Sequence, residues 1–153
     1  MNVLNYFREE HAVIEKELDS LLQHYSGWTR EQVFDEVKLV CDAINGHLKK
    51  EEELLLLNIA NNSALQEELN SSKEDRVRVK DEIGQLISVH VDEPGFPEFL
   101  RNLQEKFTEH SKFCEALCNS IESHANKSEL AHIDSQLQHI LVSAAGYNNL
   151  SAG

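Results

Sequence analysis

The sequence predicts an all-α protein, an up-down-up-down four-helix bundle with an additional short C-terminal helix. Apolar residues recur at steps of three, four and seven through most of the 153-residue chain, which is the spacing of one face of an α-helix. The chain also holds only six glycines and two prolines, and so few helix-breaking residues favour long helices joined by short connections. Four such helices pack most economically as an antiparallel bundle.

The first helix has one apolar stripe with a single polar interruption. His11 fills the gap between Phe7 and Ile14 on this stripe. The other members of the stripe are Leu4, Leu18, Leu21 and Tyr25. The segment SGWT at 26–29 then predicts a turn, and Thr29 is a residue type that commonly serves as the N-cap of a following helix.

The second helix has two polar interruptions on its stripe. They are His47 and Glu51, which lie four residues apart and therefore share one face of the helix. The apolar line around them consists of Val33, Val37, Val40, Ile44 and Leu54, and Asn58 continues it.

The remaining three helices follow the same spacing. A third helix is predicted from about 64 to 90, with Lys80 beside the inward line formed by Leu65, Leu69, Val79, Ile83, Leu86 and Ile87. The segment DEPGFP at 92–97 ends it because proline cannot continue a helix. In the fourth helix His110 and Cys114 complete a stripe made of Phe96, Phe99, Leu100, Leu103, Phe107, Leu117 and Ile121.

A fifth, shorter helix is predicted at about 128–146, after the segment HANKS. Its inward residues are Leu130, Ile133, Leu137 and Ile140. We therefore predict one domain over residues 1–153, with the bundle at about 3–125 and the fifth helix outside it. The role of that helix is open between a cap on the bundle and a contact in a homodimer.

Composition excludes several function classes. The formal net charge is −13, with 27 acidic against 14 basic residues, and such a surface repels nucleic acid and anionic membranes. The N-terminus has no secretory signal pattern, and three cysteines without disulfide spacing predict a cytoplasmic protein. The sequence contains no phosphate loop, serine elbow or paired-acid motif that would predict an enzyme. A homodimer or another protein partner stays open.

The polar interruptions predict a candidate metal site. His11, His47, Glu51 and His110 each lie near the middle of a helix, and in an antiparallel bundle the middles of the helices share one level. Burying such groups without partners costs several kcal/mol each, and imidazole and carboxylate groups are ligands of Fe, Zn or Mn. A single histidine on an apolar stripe is more often a hydrogen-bonded core residue, so the spacing leaves both interpretations open.

Two segments resemble a known family. REEHAVIEKELDSLL at 8–22 and HLKKEEELLL at 47–56 are similar to the first two helices of hemerythrin-like, or HHE cation-binding, domains. The resemblance covers roughly residues 3–121 and implies a four-helix bundle with a di-iron site. It implies that His11 and His47 are terminal ligands of one metal, Glu51 a bridging carboxylate, and His110 a terminal ligand of the second metal.

Two positions depart from the family pattern. Lys80 stands where the third helix of the family supplies a histidine, and Cys114 stands where the fourth supplies a second bridging carboxylate. Both departures fall on the second metal, so we expect one ion rather than two. It would be held by His11, His47 and Glu51 and completed by His110, Cys114 or water. A thiolate from Cys114 would favour zinc.

The resemblance implies a metal-binding protein with non-heme iron as the cofactor, and the cysteines and the N-terminus predict a cytoplasmic location. Its function would be to bind or sense oxygen, iron or redox state, with a small diatomic molecule as the exogenous ligand. The alternative is a degenerate bundle without metal that acts as a protein-interaction or regulatory module. In that case the ammonium group of Lys80 would neutralise the carboxylate of Glu51.

Overall fold

The computed structural model contains five helices and, over residues 2–151, no strand. It describes the backbone of residues 2–151 and the side chains of residues 2–144. The helices are α1 (Asn2–His24), α2 (Arg30–Glu51), α3 (Gln66–Ile87), α4 (Phe96–His124) and α5 (Lys127–Ser151). The predicted all-α class and the additional C-terminal helix are confirmed, and α5 extends beyond the predicted end at 146.

Local signals set the ends of α2 and α3. Thr29 caps α2 as predicted: its hydroxyl accepts from the Gln32 amide at 3.2 Å, and the Gln32 side chain accepts from the Thr29 amide at 2.9 Å. This reciprocal pair satisfies two amides that the helix leaves free. The α3 helix is shorter than the predicted span of 64 to 90, because a 3-10 turn at Ser63–Leu65 precedes it and Ser88 follows it as the C-cap.

A π-helical turn continues α2 directly after Glu51. It spans Glu52–Leu56, and the Leu57 amide donates to the Glu52 carbonyl, five residues back, at 3.0 Å. Turns of this kind occur frequently at functional sites. Leu54, Leu55 and Leu56 are all buried, whereas the next residue, Leu57, is 64% exposed.

The first four helices contact one another in a ring. The α1 helix packs against α2 and α4, and α3 packs against α4 and α2. Two bridges between α1 and α4 join Arg8 to Glu115 and Glu15 to Ser111. The partner of the later α1 residue is the earlier α4 residue, so these two helices are antiparallel.

The core consists of two apolar clusters with a polar layer between them. One cluster includes Ile14, Ile44 and Phe96, and the other includes Leu55, Leu117 and Ile133. The buried polar residues are His11, His47, Glu51 and His110, together with Ser72, Asp75 and Arg76 on α3. The predicted inward position of Ile87 is wrong: as the last residue of α3 it is 64% exposed.

The fifth helix covers one end of the bundle. Ile133 and Leu137 are fully buried in the second apolar cluster. Asn58 donates to Gln136 at 2.5 Å, and Asn62 donates to Glu129 at 3.0 Å. Across the part of the chain that the structure describes, no helix has both the length and the apolar character needed to cross a membrane.

Candidate metal centre

Three imidazole rings from three helices meet in the polar layer. His11, His47 and His110 are 6%, 0% and 1% exposed. The Nε2 atom of His47 lies 2.9 Å from that of His11 and 3.3 Å from that of His110. One ligand nitrogen from each residue lies within 4.8 Å of the other two. Neighbouring ligand atoms at about 2.1 Å from one ion are themselves about 3.0–3.4 Å apart, so the three histidines can hold a metal ion.

Glu51 places a carboxylate oxygen against two of these rings. Its Oε2 atom lies 3.0 Å from His110 Nε2 and 3.4 Å from His47 Nε2. The side chain is 1% exposed, yet Oε2 has no partner in hydrogen-bond geometry among the described residues. A buried carboxylate oxygen without an aligned donor is costly, and a cation at the same point would satisfy it.

A carboxylate and a lysine fix the ring of His47. Its Nδ1 donates to Glu10 Oε1 at 2.7 Å, and the other oxygen of Glu10 accepts from Lys50 Nζ at 2.6 Å. Lys50 also donates to the hydroxyl of Tyr6 at 3.1 Å. Because the Nδ1 proton is held by Glu10, the lone pair of the neutral ring lies on Nε2 and faces the other histidines.

His110 has the same arrangement on the opposite side. Its Nδ1 donates to Asp75 Oδ2 at 2.5 Å, and Asp75 Oδ1 lies 3.0 Å from Lys106 Nζ. The structure thus holds two chains of histidine, carboxylate and lysine, His47–Glu10–Lys50 and His110–Asp75–Lys106. Outer carboxylates of this kind are what orients histidine ligands at metal sites in general.

The pKa values of the histidines are driven apart. Burial, together with His47 and His110 nearby, lowers the pKa of His11 to about 3. Burial also lowers the pKa of His110, but Asp75 and Glu51 outweigh it and raise that pKa to about 9. At neutral pH in the metal-free protein, His11 is therefore a neutral imidazole and His110 an imidazolium.

The carboxylates stay ionised. Burial raises the pKa of Glu51, but the close approach of His110 and His47 outweighs it, so the pKa lies well below its usual range. For Glu10, burial is likewise outweighed by hydrogen bonds from His47 and Lys50, and its pKa falls to about 2. Both carboxylates therefore keep their negative charges at any pH near neutrality.

Two phenylalanine rings keep the centre dry. Phe107 is fully buried, and its ring centroid lies 5.8, 5.9 and 5.7 Å from those of His11, His47 and His110. Phe7, also fully buried, lies 5.4 Å from His47. Rings that surround a polar centre in this way exclude water and so strengthen the electrostatic interactions inside it.

The structure brings together all four residues that the sequence singled out. The expected contact between Lys80 and Glu51 is wrong. Lys80 follows the buried Val79 by one residue, so its side chain is turned away from the core and is exposed. Asp75, which lies one turn before Val79 on α3, faces the centre instead and contacts His110. The chain His47–Glu10–Lys50 was likewise not predicted from the sequence.

Cys114 lies next to the centre as a protonated thiol. It is 1% exposed. Contact with Cys118, together with burial and the nearby charge of Glu51, raises its pKa well above the usual value. Its sulfur is not part of the group of three ligand nitrogens, so the structure assembles nitrogen and oxygen atoms at the centre rather than a thiolate.

Comparisons with models of protein families, with curated proteins and with solved structures give no match to this chain. The hemerythrin-like family remains an expectation that rests on the segments at 8–22 and 47–56. The geometry of the buried histidines stands independently of it.

Proposed function

We propose that this chain is a hemerythrin-like protein that binds one transition-metal ion, with non-heme iron as the first candidate. His11, His47, His110 and Glu51 are the proposed ligands. The metal centre would bind or sense a small diatomic ligand such as oxygen. The observation that carries the proposal is the convergence of three Nε2 atoms, two of them on rings whose Nδ1 is held by a carboxylate.

The donor set supports one ion rather than two. All three imidazoles converge on one another, and both oxygens of Asp75 are engaged by His110 and Lys106. Three nitrogens and one carboxylate oxygen suit iron and also zinc, and the sulfur of Cys114 lies outside the group of convergent ligand nitrogens. Iron is the first candidate for the ion, ahead of zinc, because the chain resembles hemerythrin-like domains.

The residues around the centre would each serve a bound ion. Such an ion supplies a Lewis acid and, if it is iron, a redox couple. Glu10 and Asp75 hold the rings of His47 and His110 with the Nε2 atoms inward. Phe7 and Phe107 exclude water, which protects a reactive centre from side reactions.

The metal content of the purified protein tests the proposal. Protein expressed with added iron and purified without chelator is expected to contain about one ion per chain by inductively coupled plasma mass spectrometry. His110→Ala removes a buried ligand and should lose the ion. His132→Ala, an exposed histidine on α5, is the matched control and should keep it. A metal content far below one, unchanged in His110→Ala, would rule the proposal out.

A metal-free regulatory module is the second candidate, and one observation favours it. The imidazolium of His110 lies between Asp75 and Glu51, so a proton can balance the charge of Glu51 without Lys80. This candidate predicts a melting temperature that neither chelators nor added Fe(II) change. A stabilising shift on addition of Fe(II) would exclude it, because only a ligand of the folded state raises stability.

Metal binding is expected to release a proton from His110. Its pKa of about 9 means that the ring is charged in the metal-free protein at neutral pH, and only the neutral ring can bind a metal. The apparent affinity should therefore rise at least about tenfold per pH unit up to about pH 9 and then level off. The slope is steeper at lower pH because the pKa of His47, which burial lowers, is raised overall by Glu10 and Glu51. Titrations at several pH values, with a pH indicator in weak buffer, measure both effects.

The variant Asp75→Asn provides the control for this pH dependence. Loss of the Asp75 charge lowers the pKa of His110, because a neighbouring carboxylate favours the imidazolium. The affinity should then level off at a lower pH. An affinity in the unmodified protein that is flat between neutral pH and about pH 9 would contradict a proton on His110.

A further inference from the structure

We infer that the metal ion and the small ligand reach the centre through a groove between α1 and α4 that ends at His11. This inference rests on the proposed function. The groove has a volume of about 290 Å³, and His11 is part of its lining. That volume admits a hydrated ion or a molecule of a few atoms, and the groove lies directly over one of the proposed ligands.

Exposure singles out His11 as the side of the centre nearest to solvent. It is 6% exposed, whereas His47, Glu51 and His110 are between 0% and 1%. The larger cavity, about 770 Å³ between α2 and α3, is lined by none of these four residues. A route to the centre through that cavity would have to cross the apolar cluster around Ile44 and Phe107.

Small side chains keep the groove open. Ala12 on α1 and Thr108 on α4 both line it and are exposed. Two polar bridges cross it: Arg8 pairs with Glu115, and Ser111 donates to Glu15 at 2.9 Å. The side chains of Arg8 and Glu115 are 49% and 45% exposed, and such surface ion pairs are weak. The ion pair of Arg8 and Glu115 therefore does not seal the groove.

The charge of the groove also suits this role. Glu15 and Glu115 supply carboxylates, Arg8 and Lys112 supply cations, and all four side chains line the groove. Opposite charges in equal number give no strong barrier to an ion of either sign. The carboxylate oxygens are ligands that a divalent ion accepts in transit.

Filling the groove tests the inference. Thr108→Trp is expected to slow both the uptake of Fe(II) or Zn(II) and its extraction by a chelator by at least about tenfold. The equilibrium affinity should not change, because an obstacle on the path alters both rates by the same factor. Stopped-flow uptake and chelator kinetics measure the two rates. Ala12→Phe fills the groove from α1 and should slow both rates as well, and it replaces Thr108→Trp in the test if that variant folds poorly.

The matched control is Ala116→Trp. Ala116 is also exposed on α4, but it lines a different groove, between α3 and α4, that includes none of the four ligands. This variant should leave both rates unchanged. Equal slowing by Ala116→Trp, or no slowing by either groove-filling variant, would overturn the inference.

Chemical labelling gives a readout that needs no metal. In the metal-free protein, diethyl pyrocarbonate should modify His11 more slowly in Thr108→Trp than in Ala116→Trp, as followed by mass spectrometry. A chain that takes up no ion overturns the proposed function and the inference with it. A chain that binds an ion at rates indifferent to positions 12 and 108 overturns the inference alone.

Discussion

Replacing Asp75 by alanine is expected to destabilise the metal-free protein by about 3 kcal/mol, because it removes the buried carboxylate that His110 and Lys106 share. The side chain of Asp75 is 3% exposed and contacts His110, which is 1% exposed, and Lys106, which is 11% exposed. Above about pH 9, where the ring of His110 is neutral with or without Asp75, the same change should weaken metal binding about 10–100-fold, since the ring loses the partner that orients it. Urea unfolding and isothermal titration calorimetry measure the two effects.

Asp81→Ala is the surface control for this prediction, and Asp75→Asn is the conservative substitution. Asp81 is exposed on the same helix, and its loss should change stability by no more than about 0.5 kcal/mol. Asparagine at 75 keeps an acceptor for His110 and should restore part of the metal affinity. An Asp75→Ala protein with unaltered stability and affinity would show that the chain His110–Asp75–Lys106 does not support the centre.

Replacing Phe107 by alanine is expected to cost about 3–5 kcal/mol of unfolding free energy. Phe107 is fully buried and packs against the rings of all three histidines. Its removal leaves a cavity beside polar groups, which is a space that water can enter. We therefore also expect a bound ion to be extracted by chelators faster from this variant.

Phe34→Ala is the matched control for size and chemistry. Phe34 is 62% exposed on α2, so its truncation should change stability by only about 0.5 kcal/mol. Calorimetric unfolding of both variants, with and without metal, separates the packing effect from the effect on the centre. A Phe107→Ala protein as stable as Phe34→Ala would contradict the packing described for the core.

The helical stripes predicted the fold and the four convergent residues because the apolar residues of each helix mark which of its faces points inward. An inward position is defined by apolar neighbours one turn before and after it. His11 lies between Phe7 and Ile14, and His110 lies between Phe107 and Cys114. The four convergent residues, His11, His47, Glu51 and His110, are all buried, as their positions on the stripes predict. Ile87 failed this rule because it is the last residue of α3 and has no following turn to cover it.

Asp75 could have been predicted from the same rule. Steps of three and four lead from Leu69 through Ser72 and Asp75 to Val79, and all four are buried. The inward line drawn directly from Leu69 to Val79 omits the two polar positions between them. Glu10 is different: it stands off the stripe of α1, and its contact with His47 depends on how α1 and α2 are rotated about each other. The spacing within a single helix does not determine that rotation.

The two chains of histidine, carboxylate and lysine determine the electrical balance of the core. Lys50 pairs with Glu10 and Lys106 pairs with Asp75, whereas Glu51 pairs with the histidine rings, which leaves one negative charge on these five side chains. In the metal-free protein the proton on His110 neutralises it. Exchange of that proton for a divalent ion would leave one surplus positive charge instead. Electroneutrality in a dry interior would then favour one small monoanion as the companion of the ion.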